Sequence, residues 1–455
     1  MLFLLFGYFF VAQVSVEFRT NSTFFSGNAK KSFFLQDQIL YPSYEGFRLS
    51  KGLNIFNSVL FFFGAGDEKN GIKILAEPFV SFPRQESNLF LHRFSSQLRY
   101  SFLYISGGKD TLSLGPGIHN SLLLSHNISP QNHLWGGIRE LNLPCAGNFC
   151  FGNISALGGV LFADDIGYRY PDPNFLVMRF DWEIYFLRLG ASRIIAFGGK
   201  GGVKPKKFQD YIDLFTARLE NASGLCRDIQ DEAERRKCEE YWLNRDTNQA
   251  AEFFGVFDFS KIIPSNVFEE LFGYFEYAGD DIVACWQVED VKIIKCFPIP
   301  FRLAVNAWVV GVGGKRENFS FNAEYTWFNK SRAFYAHHNY PLAIKGSYTG
   351  AHTGPFSDDI WLKFSYSFFN DMIFGFRFHF FRRWKRDSDS SQVQEKVFEF
   401  GPQFAVDLDD STTLGLSLVL YYFQNPDLSS LPFSYQPKFG NFLDFSLSLF
   451  FSYRY

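Results

Sequence analysis

The sequence lacks long hydrophobic runs. Beyond the N-terminus, no apolar stretch free of charge reaches the roughly 18 residues that a membrane-spanning helix needs. The length of 455 residues fits either two or three soluble domains or one large barrel. A membrane strand needs only about 9 to 11 residues, and its lumen-facing side chains can be polar. The sequence therefore argues against helical membrane spans and leaves a membrane barrel open.

A strong net charge and a Cys-x-x-Cys motif are also missing. The net charge of −3 predicts no nucleic-acid partner. Without the cysteine spacing of a zinc site, we predict no metal and no cofactor. Each cysteine instead has a near neighbour across a polar segment, which in an exported chain predicts disulfides, with unpaired buried thiols as the alternative. The three predicted pairs are Cys145 with Cys150, Cys226 with Cys238, and Cys285 with Cys296.

The N-terminus has an apolar stretch, Met1 to Ala12, but lacks the basic residues that open a signal peptide. Small residues near Ala12 and Ser15 could allow cleavage. We interpret residues 1–15 as the remnant of a signal peptide, and a first strand is the alternative.

Aromatic residues are abundant and spread along the chain: they make up 20% of it, with 60 Phe and 22 Tyr, while charged residues also make up 20%. In the stretch from Phe319 to Trp327 the apolar residues take the odd positions, and polar residues, including Glu324, take the even ones. This period of two predicts a strand with one face on lipid and the other on a wet lumen. A soluble sandwich would alternate too, but its core face would need a partner sheet. Similar segments are Ser87 to Tyr104, Phe175 to Gly190, Phe301 to Val312, Asn318 to Phe328, Asp359 to Phe369, Ile373 to Phe381, Val397 to Leu408, Thr413 to Phe423 and Phe442 to Tyr453.

Tight turns join the late segments, for example at Phe369 to Asp371 and at Asp409 and Asp410. Such connections are typical of an up-and-down barrel. The alternating aromatic end, Phe451 to Tyr455, resembles the signal by which the barrel-assembly machinery recognises its clients. We therefore predict an all-β fold for residues 16–455: a transmembrane antiparallel up-and-down β-barrel of about 18 strands in the outer membrane of a Gram-negative bacterium.

Two charged stretches interrupt the alternation. Asp210 to Asn248 predicts a small helical insertion outside the membrane, closed on itself by Cys226 and Cys238. Arg382 to Lys396 predicts a solvent loop, whose Arg382, Arg383, Lys385 and Arg386 could meet anionic lipopolysaccharide.

Several motifs, taken in order, resemble the capsule assembly protein Wzi family. Gly107 to Gly117, followed by the Leu-rich Ser121 to Pro130, is similar to that family's Trp-Gly-Pro-Gly turn and the segment after it, although Leu114 stands where the family usually has Trp. The periplasmic helical bundle that some members carry before the barrel is not expected here. Further similarities, which extend the resemblance over roughly residues 100 to 360, are Gly190 to Arg193, Phe197 to Gly199, Phe257 to Phe259, Glu276 to Asp281, Glu324 to Thr326, Tyr335 to Tyr340 and Tyr348 to Gly350.

The resemblance implies a closed or plugged barrel that acts as a surface lectin in capsule assembly. Such a protein would bind or anchor exported capsular or extracellular polysaccharide and would not be an enzyme. The expected partners are outer-membrane lipid, lipopolysaccharide and surface polysaccharide, and the expected state is a monomer. A diffusion porin or other outer-membrane channel is the alternative.

Sugar binding favours aromatic faces flanked by polar groups. The densest such sets are Trp135 with Arg139, and Tyr335, His337, His338 and Tyr340, although aromatic girdles at the membrane interfaces explain most barrel Trp and Tyr. His337 and His338 are adjacent, so on a strand they would face opposite sides and could not share a metal. Gly115, Pro116 and Gly117 predict a tight structural turn, which could form part of a lumen plug.

Catalysis is a weaker hypothesis. His119, Asn120 and Ser121, with His126 and Asn127, suggest an outer-membrane phospholipase, but adjacent triad members on one strand do not converge. Glu276, Asp280 and Asp281 could line the lumen or bind a cation, although we favour solvated loop carboxylates. We predict that the protein is not an enzyme.

Overall fold

The computed structural model describes most of the chain. The described residues are 12–25, 52–67, 69–82, 89–147, 149–164, 170–202, 207–215, 229–243, 247–264, 267–284, 301–329, 334–335, 340–344, 347–368, 371–384, 394–424 and 441–455. The segment Met1 to Val11 lies outside them, and the first strand begins at Ala12, so the signal remnant stays a prediction.

Eighteen long strands form a single antiparallel sheet in which each strand pairs with the next along the chain. The last strand also pairs with the first, with Glu17 opposite Arg454 and Phe25 opposite Ser446, so the sheet closes into a barrel. The predicted fold class is confirmed. The strands are β1 Ala12–Phe25, β2 Gly52–Gly66, β3 Asn70–Phe82, β4 Leu89–Tyr100, β5 Leu103–Asp110, β6 Gln131–Asn142, β7 Asn153–Phe162, β8 Asn174–Ile184, β9 Leu187–Phe197, β10 Asn248–Asp258, β11 Glu270–Ala284, β12 Phe301–Arg316, β13 Phe319–Phe328, β14 Ser357–Phe368, β15 Met372–Trp384, β16 Gln394–Asp407, β17 Thr412–Gln424 and β18 Asn441–Arg454.

The strands put apolar side chains outside and polar side chains inside. On β18, Leu447 and Leu449 are 43% and 49% exposed, whereas the alternate residues Ser446 and Ser448 are almost fully buried. On β13, Glu324 and Thr326 are buried, which places them on the inner face that the alternation predicted to be polar. A soluble protein buries most of its apolar side chains and exposes its polar ones. The reverse arrangement found here makes the outer surface suited to lipid.

Two predicted segments prove to be hairpins. Ser87 to Tyr104 is divided by a two-residue turn at 101–102, and Phe175 to Gly190 by another at 185–186. Ser101 and Tyr185 adopt positive φ of 53° and 50° there. Two-residue hairpins favour such angles, but Asn or Gly usually supplies them, so these turns carried no sequence signal.

Two helices, α1 Phe208–Phe215 and α2 Glu232–Leu243, lie in the connection between β9 and β10 and coincide with the predicted helical insertion. Asp231 caps α2 by accepting hydrogen bonds from the Ala233 and Glu234 amides. A short 3-10 turn, Phe259–Lys261, follows β10. Within the described residues, neither helix is long and apolar enough to cross a membrane.

The connections differ between the two ends of the barrel. The end that holds both sheet termini has short turns, including 101–102, 185–186 and 317–318, and the opposite end has long connections, such as 26–51 and 198–247. In outer-membrane barrels the short turns face the periplasm and the longer loops face outward. We orient the barrel accordingly.

The predicted disulfide between Cys145 and Cys150 is confirmed, and it closes the small hairpin of Cys145–Ala146 and Phe149–Cys150. Cys238, in α2, is also disulfide-bonded. Cys226, Cys285 and Cys296 lie outside the described residues, so the other two pairings stay predictions.

The predicted solvent loop Arg382 to Lys396 is wrong at its edges, because β15 extends to Trp384 and β16 begins at Gln394. Arg382 forms a two-pronged ion pair with Asp358, and the Arg383 guanidinium is buried and contacts Glu395 at 3.1 Å. These two arginines therefore belong to the wall. Lys385 and Arg386 lie outside the described residues.

Candidate functional site inside the barrel

Residues 111–130, which join β5 to β6, fold into the barrel, and we call them the plug loop. Its side chains Leu122, Leu123 and Leu124 are at most 1% exposed. They pack in one apolar core with inward-facing residues of the strands from β6 to β13. The wall makes room with small residues that are fully buried, namely Ala196, Ala250, Ala278 and Ala307.

A second inner loop lies beside the plug loop and joins β13 to β14; its described residues are 329, 334–335, 340–344 and 347–356. The Ser125 amide donates to the Thr349 carbonyl at 2.8 Å, and the Ser125 hydroxyl donates to the Gly350 carbonyl at 2.7 Å. The Tyr335 hydroxyl donates to the Leu122 carbonyl and accepts from the Ala351 amide. The two loops are therefore held together by hydrogen bonds as well as by apolar packing.

Glu276, on β11, fastens the plug loop to the wall. Its carboxylate accepts from the Gly117 amide at 2.6 Å and from the Leu122 amide at 2.9 Å. A Cβ on Gly115 would lie 2.0 Å from this carboxylate, and a Cβ on Gly117 would lie 1.7 Å from the Asn120 carbonyl oxygen. Glycine is thus required at both positions, where the sequence predicted a structural turn.

Glu324, on β13, is a second carboxylate anchor. It accepts from three consecutive amides, those of Ile118, His119 and Asn120, at 2.9, 3.1 and 2.7 Å. The Tyr274 hydroxyl also donates to it. Consecutive backbone amides form an anion-binding concavity, so the loop is shaped to receive these wall carboxylates.

Glu276 and Asp280 were expected to be solvated loop carboxylates, and that expectation is wrong. Both lie on β11 and are at most 3% exposed. Asp280 accepts a hydrogen bond from the Tyr335 amide at 3.1 Å. Their alternation with apolar residues on a strand, and not in a loop, was the signal that this expectation overlooked. The Asp281 side chain lies outside the described part of the structure.

Four side chains of types that can bind a metal ion meet where the plug loop contacts β14 and β15. They are His119, His352, Asp359 and His379, and one donor atom of each lies within 4.8 Å of the others. No metal was predicted from the sequence, because these residues stand in two loops and two strands with no short spacing to join them. Burial and the nearby His119 lower the pKa of His352 well below its ordinary value, which keeps its imidazole neutral.

Three of the residues predicted to bind sugar, Trp135, Tyr335 and Tyr340, lie in the apolar core, whereas Arg139 lies near a short turn. Trp135 faces the interior and is 7% exposed, in the core beside the plug loop. Arg139 lies over the ring of Tyr104, 5.3 Å from its centroid, near the short turn at 101–102. A shared sugar contact for this pair stays a prediction.

Tyr335 and Tyr340 are buried in the inner loops. The Tyr340 hydroxyl donates to the Gly198 carbonyl at 2.8 Å, and its ring lies 5.6 Å from that of Tyr170. Burial raises the pKa of Tyr335 well above its ordinary value, so this hydroxyl stays a donor. A sugar could reach either ring only if the loops moved. His337 and His338 lie outside the described residues.

The residues that suggested a phospholipase take other positions. The Ser121 hydroxyl accepts from the Gly115 amide at 3.0 Å and is buried. His126 is exposed, and the Asn127 side chain donates to the Tyr348 carbonyl. These contacts give Ser121 and Asn127 structural roles in the loop.

No protein-family model matches the sequence, and no curated protein matches it. Solved structures show the same fold. Escherichia coli Wzi, an outer-membrane protein involved in group 1 capsule assembly and a carbohydrate-binding β-barrel, is 16% identical with a TM-score of 0.62, and the match covers 96% of this chain and 83% of Wzi. The porin OccK5 (OpdH) of Pseudomonas aeruginosa is 11% identical with a TM-score of 0.53, covering 98% and 99%. OccAB1 of Acinetobacter baumannii is 10% identical with a TM-score of 0.51, covering 99% and 98%.

These likenesses show a shared fold. Together with the apolar outer surface and the closed sheet, they identify the chain as an outer-membrane β-barrel.

Proposed function

We propose that this outer-membrane barrel binds or anchors exported capsular or extracellular polysaccharide at the cell surface and is not an enzyme. The observation that carries the proposal is the apolar core inside the barrel, formed by the plug loop and the wall. The lumen of a diffusion porin is polar and filled with water. A barrel whose interior is partly filled by such a core is better suited to holding a ligand on its outer end than to passing solutes.

The structural likeness to Wzi, described as a carbohydrate-binding barrel, supports the same proposal. The diffusion porin is kept as a second candidate, because porins of the Occ group share the fold over nearly their whole length.

Helix α1 offers a surface for sugar in the outward-facing connection 198–247. Phe208 and Tyr211, one helical turn apart, are 81% and 55% exposed, while Leu214, nearer the end of the helix, is buried. Exposed rings three residues apart lie on one helix face, and aromatic faces stack on the C–H surfaces of sugars. We propose that these two rings form part of the polysaccharide contact.

The test measures binding of purified, detergent-solubilised protein to acidic and neutral bacterial polysaccharides. The double variant Phe208→Ala with Tyr211→Ala should bind about tenfold more weakly, which corresponds to about 1.4 kcal/mol for the two rings. The matched control is Tyr185→Ala, which removes a ring that is 66% exposed at the opposite end of the barrel and should leave binding unchanged.

Lack of binding to every polysaccharide by the wild type, together with steady open-channel current in a planar bilayer, would favour the porin. Equal loss of binding in the Tyr185→Ala control would remove α1 from the proposed contact.

We further propose that the outward-facing rings contact membrane lipid and lipopolysaccharide, and that the protein is a monomer. Closure between β1 and β18 supports the monomer, because it leaves no strand edge that needs a partner chain.

A further inference from the structure

The interior holds a convergence of imidazole and carboxylate groups from four separate places in the chain. His119 comes from the plug loop, His352 from the second inner loop, Asp359 from β14 and His379 from β15. Their side chains are 4%, 1%, 1% and 2% exposed. The group therefore lies at the junction between both inner loops and the wall.

The three imidazoles direct their Nε2 atoms to one carboxylate. The distances from Asp359 oxygens to Nε2 are 2.8 Å for His379, 3.3 Å for His119 and 3.9 Å for His352. In a tetrahedral zinc site with bonds of about 2.0 to 2.1 Å, neighbouring ligand atoms are about 3.3 Å apart. The distances from Asp359 to the three Nε2 atoms bracket this spacing, and one donor atom of each residue lies within 4.8 Å of the others, so side-chain shifts would complete a tetrahedron.

The group behind the His352 imidazole places its lone pair on Nε2, and a carboxylate lies behind the His379 imidazole. The Asn120 amide nitrogen donates to Thr326 and to Asp359, so its oxygen accepts from Nδ1 of His352 at 2.7 Å. Nδ1 of His379 lies 3.5 Å from a Glu399 oxygen. A histidine that donates through Nδ1 carries its lone pair on Nε2, which is the usual outer arrangement around a metal-bound histidine.

The composition of the cluster also suits a cation. Asp359 is a buried carboxylate, and buried charges in proteins are paired or coordinate a metal. The ring centroids of the three histidines are only 4.6 to 5.3 Å apart, so the imidazoles surround one small volume beside this carboxylate. His119 is held further by stacking on Trp361, with ring centroids 5.0 Å apart.

We propose that His119, His352, Asp359 and His379 form a closed four-ligand Zn²⁺ site that fastens both inner loops to the barrel wall. Three imidazoles with one carboxylate suit zinc among the abundant divalent ions, and a site with four protein ligands is structural because no position stays open for substrate. This proposal goes beyond polysaccharide binding and would hold equally for a porin.

The first experiment measures the metal content of the barrel purified from membranes of cells grown with zinc. The wild type should hold about one zinc per chain, and His352→Gln and His379→Gln should lose it. The matched control is His133→Gln, which alters a buried lumen histidine that is hydrogen-bonded to Ser106 and lies outside the cluster, and it should keep the zinc. Wild type free of metal after growth with zinc and after incubation with Zn²⁺, or equal zinc in the two cluster variants, would overturn the proposal.

A second measurement needs no variant, in case the substitutions prevent folding. X-ray absorption of the zinc-loaded wild type should show four ligands at about 2.0 to 2.1 Å with the scattering of several imidazoles. A shell of six oxygen ligands would identify a surface ion and contradict the site. Neither measurement depends on sugar binding or conductance, so failure here can be told apart from failure of the proposed function.

Discussion

The inner wall of the barrel differs between the strands that face the plug loop and the last strand. On β11 and β12 the inward residues Ala278, Ala307 and Val309 are fully buried in the apolar core. On β18 the inward residues Ser446 and Ser448 are equally buried but polar. Burial alone therefore does not distinguish the part of the inner wall that holds the plug loop. Small apolar residues and interspersed carboxylates are characteristic of that part of the wall. The small residues make room for the loop, and the carboxylates accept hydrogen bonds from its amides.

The part of the barrel with polar inward residues also contains a cavity near the short turns. A cavity of about 580 Å³ lies at that end, and its lining is almost entirely polar. The lining residues are Asp371, Asp407, Leu408, Asp409, Asp410, Ser411, Thr413, Ser452 and Arg454. The comparison predicts that changes on the plug-facing wall release the loop, whereas similar changes on β18 do not.

The largest effect is expected from Glu324→Ala. The substitution removes the acceptor for three amides, of which that of Asn120 is buried and those of Ile118 and His119 are partly buried, and each buried group left unsatisfied costs about 1 to 3 kcal/mol. The temperature at which the folded barrel unfolds on a gel should fall strongly, and bilayer current should rise as the loop detaches. The control is Asp444→Ala, which removes a buried carboxylate from β18. An equal loss of stability in both variants would break the comparison between the two walls.

A slightly smaller loss is expected from Leu123→Ala. Leu123 is fully buried in the core, and deletion of such a side chain costs about 2 to 5 kcal/mol. Leu447→Ala on the lipid face is the matched control, since that leucine is 43% exposed and leaves no internal cavity. Denaturant unfolding of refolded protein measures both. If the Leu447 variant were the less stable of the two, the apolar core inside the barrel would not be the stronger contributor.

The smallest change is expected from Gly117→Ala. The new methyl group would overlap the Asn120 carbonyl, and relief of such overpacking typically costs about 1 to 3 kcal/mol. Gly158→Ala on β7 is the control, because the nearest atoms to its Cβ would be 3.7 and 3.9 Å away. Thermal unfolding should separate the two variants, and a Gly117 variant as stable as the control would show that the turn is not closely fitted.

The sequence predicted the barrel because its signal is local. Alternation within Phe319 to Phe328 identifies a strand and both of its faces without knowledge of its neighbours. The hairpins at 101–102 and 185–186 were missed because Ser101 and Tyr185 adopt turn angles that other residues usually supply.

The interior could not be predicted in the same way. His119 and His352 meet only because two loops fold into one lumen, and no spacing along the chain records that meeting. The glycines of the plug loop were the exception, since a Gly-Pro-Gly turn is visible in the sequence. Their fit against Glu276 depends on a strand more than 150 residues away.

Amide hydrogen exchange of the plug loop in the folded wild type tests the central claim most directly. The amides of Gly117 to Asn120 and of Leu122 should exchange as slowly as those of the barrel strands, because Glu276 and Glu324 accept their hydrogen bonds. Exchange of this segment as fast as that of exposed helix α1 would show that the loop is not fastened to the barrel wall, and would contradict the account.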